Sequence, residues 1–432
     1  MGKGRGQEAK FSQKNTVLKQ NMEKPEHPYK LLNAAVIVAA LGYFVDIYDL
    51  LLFGFVRVRS LSDLGYSGQE LTDVGISLLN WQMGGMLIGG VLWGILGDRL
   101  GRVSVLYFSI LMYSVANILN GFVHSGESYA LYRFIAGIGL AGELGAGITL
   151  VSEVLPKEKR GYGTMLVASI GLSGALLAWV INHFFSWQTC YFIGGGLGFL
   201  LLGLRLKVSE SGIFERVRQN TAVRKGDFLS LFTKRERFVR FARCLFVGAP
   251  TWFVVGILVT LAPEFGAAKG LDGISAANAI AACYAGLILG DIASGLLSQY
   301  WRSRLKVMGF FLALDTMAIA YYLYAGFATP NALYWAHFLL GFSVGFWVIF
   351  VTIGAEQFGA NLRATVATSV PNFARGLLVP IAASFRWLKG PDGLGDLTAA
   401  ATVVGAVCLL IAFAALYGMQ ETFGKDLNYV ET

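Results

Sequence analysis

The chain carries little charge. Only 14% of its 432 residues are Asp, Glu, Lys or Arg, against 55% hydrophobic, and the mean hydropathy is +0.58. A soluble domain carries about 25% charged residues, so this apolar excess is more than a water-soluble core can hide. Cysteine is as scarce: Cys190, Cys244, Cys283 and Cys408 lie far apart and mostly inside apolar runs. That spacing excludes a disulfide framework and a CxxC metal site and leaves packing as their role. His27, His124, His183 and His337 share no ligand spacing, so no metal is expected and they read as polar loop or helix-end residues. No Walker A sequence, HExxH or soluble catalytic domain is present, which leaves ATP drive and enzyme chemistry without support and implies no cofactor. The polar, basic stretch 1–30 has no short apolar core or cleavage site, so the first apolar run is expected to be an uncleaved anchor.

Long apolar runs are what the chain does have. They fall at 33–57, 73–97, 103–122, 128–154, 161–185, 187–206, 237–265, 275–299, 306–327, 331–355, 364–386 and 396–418. Each is about long enough to cross a bilayer, for which about 20 residues suffice. The pattern predicts an all-α membrane protein of twelve transmembrane helices in two six-helix bundles, 33–206 and 237–418. A linker at 207–236 and tails at 1–32 and 419–432 complete the chain. Of 35 Lys and Arg residues, only Arg57, Arg59, Lys269, Arg386 and Lys389 fall in outside loops when the amino terminus is placed inside. This bias puts the linker and both termini in the cytoplasm. It accounts for the net charge of +8 through the lipid bilayer, with no nucleic acid as partner. Glycine is abundant, at 54 residues without a Gly-X-Y period, as close helix packing in lipid requires.

The two halves read as a repeat. GLAGELGAGITLVSEVLPKEKRGYGT, from Gly139, and GFSVGFWVIFVTIGAEQFGANLRAT, from Gly341, each end a span on a Glu with an Arg seven residues later: Glu153/Arg160 and Glu356/Arg363. GILGDRLGR, from Gly94, is echoed more weakly by GLLSQYWRSR, from Gly295, where Gln299 replaces the Asp. In the first copy Gly97 and Gly101 permit a tight turn, and Asp98 can cap the next helix and pair with a basic residue. Arg99 and Arg102 can reach acids at other helix ends, so these residues form a candidate cytoplasmic gate.

Charges inside the spans mark the candidate transport site. Asp46 and Asp49 share one face of span one, and carboxylates at mid-membrane cost about 2.5–3.5 kcal/mol each on insertion scales, so the pair calls for a polar cavity or partner. Arg133 in span four sits at the depth of Asp49, which makes an ion pair geometrically feasible. Glu143, deeper in span four, is a further proton carrier or a bridged acid. Gly137, Gly139 and Gly142 spell G-x-G-x-x-G, but mid-helix and with no strand before them they read as packing. In span eleven, VPNFARGLLVP places Asn372 and Arg375, both candidate substrate-binding residues, near the midplane between Pro371 and Pro380, which should bend or break the helix. A permanent cation there suits an anionic substrate; the competing reading is a salt bridge to Asp291 or Asp315. Tyr43, Tyr48, Trp81, Trp252, Phe346, Trp347 and Phe373 are candidate walls.

The loop GDRLGR resembles the signature of the major facilitator superfamily, with Gly94, Leu96, Asp98, Arg99, Gly101 and Arg102 matching and Val103 standing for a final basic residue. D-x-Y-D in span one, R-F-x-x-G-I-G-x-x-G-E in span four and S-E-x-x-P-x-x-x-R-G after it are similar to the metabolite, aromatic-acid and phosphate:proton symporters of that superfamily. The resemblance implies alternating access between two bundles. It puts Asp46, Asp49, Arg133 and Glu143 where those families place proton-coupling or substrate-binding groups. The reading is a monomeric, proton-coupled importer of a small organic anion, multi-pass in a bacterial inner membrane. An exporting proton antiporter, a sugar, phosphate or amino-acid symporter, and a non-transporting receptor are its rivals.

Overall fold

The computed structural model describes residues 31–205, 209–219 and 224–431. Among these residues, twelve helices are long and apolar enough to cross a membrane. In the first half these are Ala34–Asp63, Asp73–Leu100, Arg102–Asn120, Gly126–Val154, Arg160–Phe184 and Trp187–Arg205. The second half has Arg235–Val259, Ala276–Trp301, Arg304–Tyr324, Pro330–Gln357, Arg363–Lys389 and Leu397–Tyr417. They are called spans one to twelve below. Several begin on a side-chain cap: the oxygens of Asn33, Ser125, Ser275, Ser303, Thr329 and Asp396 each accept an amide of the first turn.

Among the described residues five spans are broken, four of them in matching places and the fifth, span seven, into Arg235–Phe246 and Ala249–Phe253. Span four is Gly126–Leu140 then Glu143–Val154, and span ten is Pro330–Ser343 then Trp347–Gln357. Span five divides into Arg160–Leu172 and Gly174–Phe184, and span eleven into Arg363–Gly376 and Leu378–Lys389. Pro371 and Pro380 flank the break in span eleven as expected. Span seven passes through a π-helix at Val254–Val259. Each break frees backbone groups, and in lipid these survive only where protein or a cavity covers them. Paired breaks in the two halves therefore frame a site between the bundles.

The face carrying the linker also carries the carboxyl-terminal segment, which is folded onto it. Ala360 N donates to Tyr429 O at 2.8 Å, Arg240 Nη2 meets Glu431 Oε2 at 2.9 Å, and Leu427 is buried. All four cysteines are buried. His337 departs from the reading as a loop or helix-end residue: it is buried inside span ten, its Nδ1 2.8 Å from Leu333 O. The apolar run predicted there holds a polar ring, one nitrogen of which the carbonyl one turn back satisfies.

Glycine sets how closely the spans approach. A Cβ on Gly139 would stand 2.8 Å from Tyr113 N, so spans three and four touch backbone to backbone there. Overpacking such a contact costs about 1–3 kcal/mol. Gly139→Val is expected to lower the unfolding temperature of the detergent-solubilised protein by several degrees. Gly54→Ala, with open space around the position, should leave it unchanged.

Candidate functional site

On the linker face, two buried carboxylates are each held by one arginine from either half. Glu153 Oε1 is 2.9 Å from Arg102 Nη2 and 2.8 Å from Arg363 Nη1 of the second half. Glu356 Oε1 is 3.4 Å from Arg304 Nη2 and 3.8 Å from Arg160 Nη1 of the first half. The repeat of the sequence thus returns as a repeat of ion pairs. Each arginine that crosses also serves the backbone: Arg363 Nε donates to Ala355 O and Nη2 to Leu427 O, while Arg160 Nε donates to Ser152 O.

Asp98 does not cap the helix that follows it. Its carboxylate accepts from Ala364 N at 3.1 Å, Thr365 N at 2.9 Å and Thr365 Oγ1 at 2.7 Å, at the start of span eleven. Thus it caps a helix of the opposite half, where the amino-terminal dipole favours a negative charge. Arg102 lies 3.3 Å away. Gly97 brings the spans together, a Cβ there falling 3.0 Å from the Ala364 Cβ. Gly101, at φ +112, turns the chain into span three. Arg99 reaches no acid at a helix end; it is exposed and donates to Lys225 O at 3.2 Å. In the second copy Gln299, with its carbonyl oxygen towards span five, accepts from Gly161 N at 3.3 Å, a neutral version of the same cap.

The amino end of span three is capped instead by Glu210, which accepts from Arg102 N at 3.0 Å and Val103 N at 2.8 Å. Glu421 does the same for span nine, accepting from Arg304 N at 2.9 Å. The next residues complete the symmetry, the hydroxyls of Ser211 and Thr422 donating to Glu153 and Glu356. Phe214 and Phe423 then stack against Arg102 and Arg304 at 5.0 and 5.2 Å. The sequence reading missed these roles. Glu210-Ser211 and Glu421-Thr422 follow spans six and twelve as a second repeat, a signal hidden because they fall in the linker and the tail. Burial pushes the Glu421 carboxyl up, but Ser303 and the amides around it outweigh this and hold it below the usual carboxylate range. Its cap is therefore present at neutral pH and is lost only as pH falls through that lowered value.

Between the halves lies a cavity of about 20 Å³, walled by Tyr43, Ile47 and Leu50 of span one, Leu172, Thr251, Trp252, Val255, Tyr284, Leu287, Trp347 and Arg375. This is room for about one water, so the site is closed around its walls. Trp252 and Trp347 meet edge to face at 6.0 Å. The salt bridge weighed for Arg375 does not form. Nη1 donates to Asn372 Oδ1 at 3.0 Å, and Nε has no hydrogen-bond partner among the described residues. Asp291 is taken by Val348 N at 3.1 Å, capping the half-helix Trp347–Gln357, and Asp315 by Ser343 Oγ at 2.7 Å. Trp81 is not a wall: it is 50% exposed, edge to face with Phe134 on the outer side of its helix. Tyr48 instead donates to Cys190 O, and Phe373 stacks on Phe228. Phe346, also outside the cavity walls, is buried just before the second half-helix of span ten.

Asp46, Asp49 and Arg133 are fully buried in the first bundle. Among the described residues no hydrogen bond reaches either oxygen of either Asp, and none leaves Arg133. Arg133 faces the rings of Phe53 and Tyr191 at 5.5 and 5.9 Å, so the Asp49–Arg133 ion pair that the spacing makes feasible is not closed, although the guanidinium is a near charge for Asp49. Glu143 is bridged: it pairs with Arg205 of span six at 2.5 Å and accepts from Ser109 Oγ at 2.6 Å. Arg205 had read as the cytoplasmic end of its span and was missed for that reason.

Asp98→Ala removes three bonds to a charged acceptor, each worth about 1.5–3 kcal/mol. Thr368, buried where span eleven packs on Gly145, is shielded while this face is closed. Thiol labelling of Thr368→Cys from the linker side should rise at least about tenfold when Asp98→Ala is added, and less with Thr365→Val.

Known proteins share this architecture. The niacin transporter NiaP of Acinetobacter baylyi is 25% identical over 433 residues, covering 91% of this chain and 95% of that protein. The gentisate transporter of Corynebacterium glutamicum is 25% identical over 356 residues, 77% of this chain and 76% of its own. In structure, the proton:xylose symporter XylE bound to 6-bromo-6-deoxy-D-glucose superposes with a TM-score of 0.70 at 16% identity, covering 91% of this chain and 97% of that one. The sequence profile of the Major Facilitator Superfamily matches residues 35–383, most of both bundles and the linker between them. The chain is a multi-pass membrane transporter, not an enzyme, and belongs to the Major Facilitator Superfamily.

Proposed function

We propose that the protein is a proton-coupled importer of a small organic anion, an aromatic monocarboxylate being the form that suits its walls. The observation that carries this reading is Arg375, a buried guanidinium beside the cavity with no carboxylate bonded to it among the described residues. A cation so placed costs several kcal/mol unless an anion compensates it. Trp252, Trp347, Tyr43 and Tyr284 supply flat apolar surface next to it. The relatives named for niacin and gentisate transport support the same class of substrate.

Proton coupling rests on Asp46 and Asp49. An acid with no donor on either oxygen is one whose charge the protein does least to hold, and it can exchange a proton when the cavity opens to water. Glu143 fits this role less well, because protonating it would strand Arg205. The bias of positive charge supports a cytoplasmic linker face.

Binding of benzoate and of its uncharged analogue benzamide to the purified protein, followed by thermal shift, tests the substrate sign. Benzoate should stabilise the wild type and benzamide should not. Arg375→Ala should fold yet lose the benzoate shift, and Arg375→Lys should bind at least about tenfold more weakly, since a point charge replaces a two-pronged donor. Equal stabilisation by both compounds would overturn the anion reading. Asp49→Asn should keep benzoate exchange across liposomes while losing accumulation driven by a pH gradient; full accumulation in both Asp46→Asn and Asp49→Asn would overturn the coupling.

A further inference from the structure

Asn372 precedes Arg375 by one turn on the linker-side half of span eleven and is buried. Both protons of its amide are used. Nδ2 donates to Thr368 O of its own helix at 2.8 Å and to Ala141 O of span four at 3.0 Å. Its oxygen accepts from Arg375 Nη1 at 3.0 Å. An amide offers two N–H donors, so none is left to bind a substrate in this state, contrary to the role expected from sequence. Ala141 is the residue at which the half-helix Gly126–Leu140 stops, and its carbonyl is one of those the break deprives of a partner. The second half supplies that partner. On its other flank Asn372 packs against span two, where a Cβ on Gly90 would fall 2.9 Å from the Asn372 Cβ. One side chain is thus seated between two spans of the opposite bundle, beside the cavity.

We propose that Asn372 is a positioning residue that bolts the two bundles together on the linker side of the cavity, and that a carboxylate arriving at Arg375 releases it. The guanidinium polarises the amide it donates to, which strengthens the amide's own donation to Ala141. A carboxylate that draws the guanidinium into the cavity takes this support away. The bond across the bundles weakens, Ala141 O looks for another donor, and the linker face is freed to open with the anion aboard. The release step rests on the anion reading of Arg375; the bolt itself does not.

Spin labels on Lys157→Cys and Tyr300→Cys, both exposed at the linker ends of opposite bundles, report the opening as a distance in liposomes, the native cysteines being buried. Without ligand, Asn372→Ala should raise the ratio of long to short distances about fivefold, the equivalent of about 1 kcal/mol for one hydrogen bond. Gly90→Ala, which crowds the same contact from span two and leaves Arg375 alone, should shift it the same way. Benzoate should raise the ratio in the wild type and add little in Asn372→Ala. Unchanged distances in both ligand-free variants would overturn the bolt, and weakened benzoate binding alongside them would make Asn372 a direct substrate ligand instead. If the variants shift but benzoate neither binds nor moves the wild type, the bolt is supported and the anion-driven release is overturned.

Discussion

Two carboxylates buried under the linker face, Glu153 and Glu356, each hold an arginine of their own half and one of the other. Burying a charge is costly unless it is paired, and removing one partner of such a pair costs about 3–5 kcal/mol. That constraint makes the closed face a two-position device. The cross pairs Glu153–Arg363 and Glu356–Arg160 can part only if water enters to take their place, which is what opening the face does. The pairs within each half, Glu153–Arg102 and Glu356–Arg304, keep the carboxylates from being stranded while that happens. Asp98 adds a second kind of crossing bond, between a charge and a helix terminus, that water can likewise replace.

The midplane obeys a different economy. Here the crossing contacts are backbone against side chain, through the break in span four and the amide of Asn372, and the charged group Arg375 has no internal acid bonded to it. A face sealed by ion pairs and a centre whose cation has no carboxylate bonded to it among the described residues fit the proposed reading, in which the closed state is stable alone and the cargo completes the centre. On the proposed reading, the aromatic walls would meet a flat apolar body of the cargo and the guanidinium its charged end. Asp46, on the span that also lines the cavity, lies close enough to Arg375 for the guanidinium charge to act on it. The proposed proton site and the proposed anion site thereby share one electrostatic neighbourhood.

Much of the fold was legible because lipid makes its demands in plain terms: twelve runs, one polar interruption and a repeated Glu-x₆-Arg. The residues of the crossing ion pairs were legible for the same reason, since Glu153, Arg160, Glu356 and Arg363 sit at matching span ends. Their partners were harder to read. That Asp98 caps span eleven and not span three depends on how two bundles meet, which no local pattern records. Arg205 looked like one more positive-inside residue until the structure placed it on Glu143. Trp81 misled because a tryptophan at mid-span reads alike whether it faces the partner bundle or the exterior. Asn372 drew notice only as a neighbour of Arg375, whereas its function as a donor rests on the exact end of another helix.

The account stands most directly on whether a proton gradient drives a carboxylate through this protein. Radiolabelled benzoate uptake into proteoliposomes holding the purified chain, with the exterior made acidic, measures it. The account predicts accumulation above the external concentration that a protonophore abolishes and that Arg375→Ala lacks. Accumulation indifferent to the protonophore, equal entry of benzamide, or uptake only when the interior is the acidic side would contradict it.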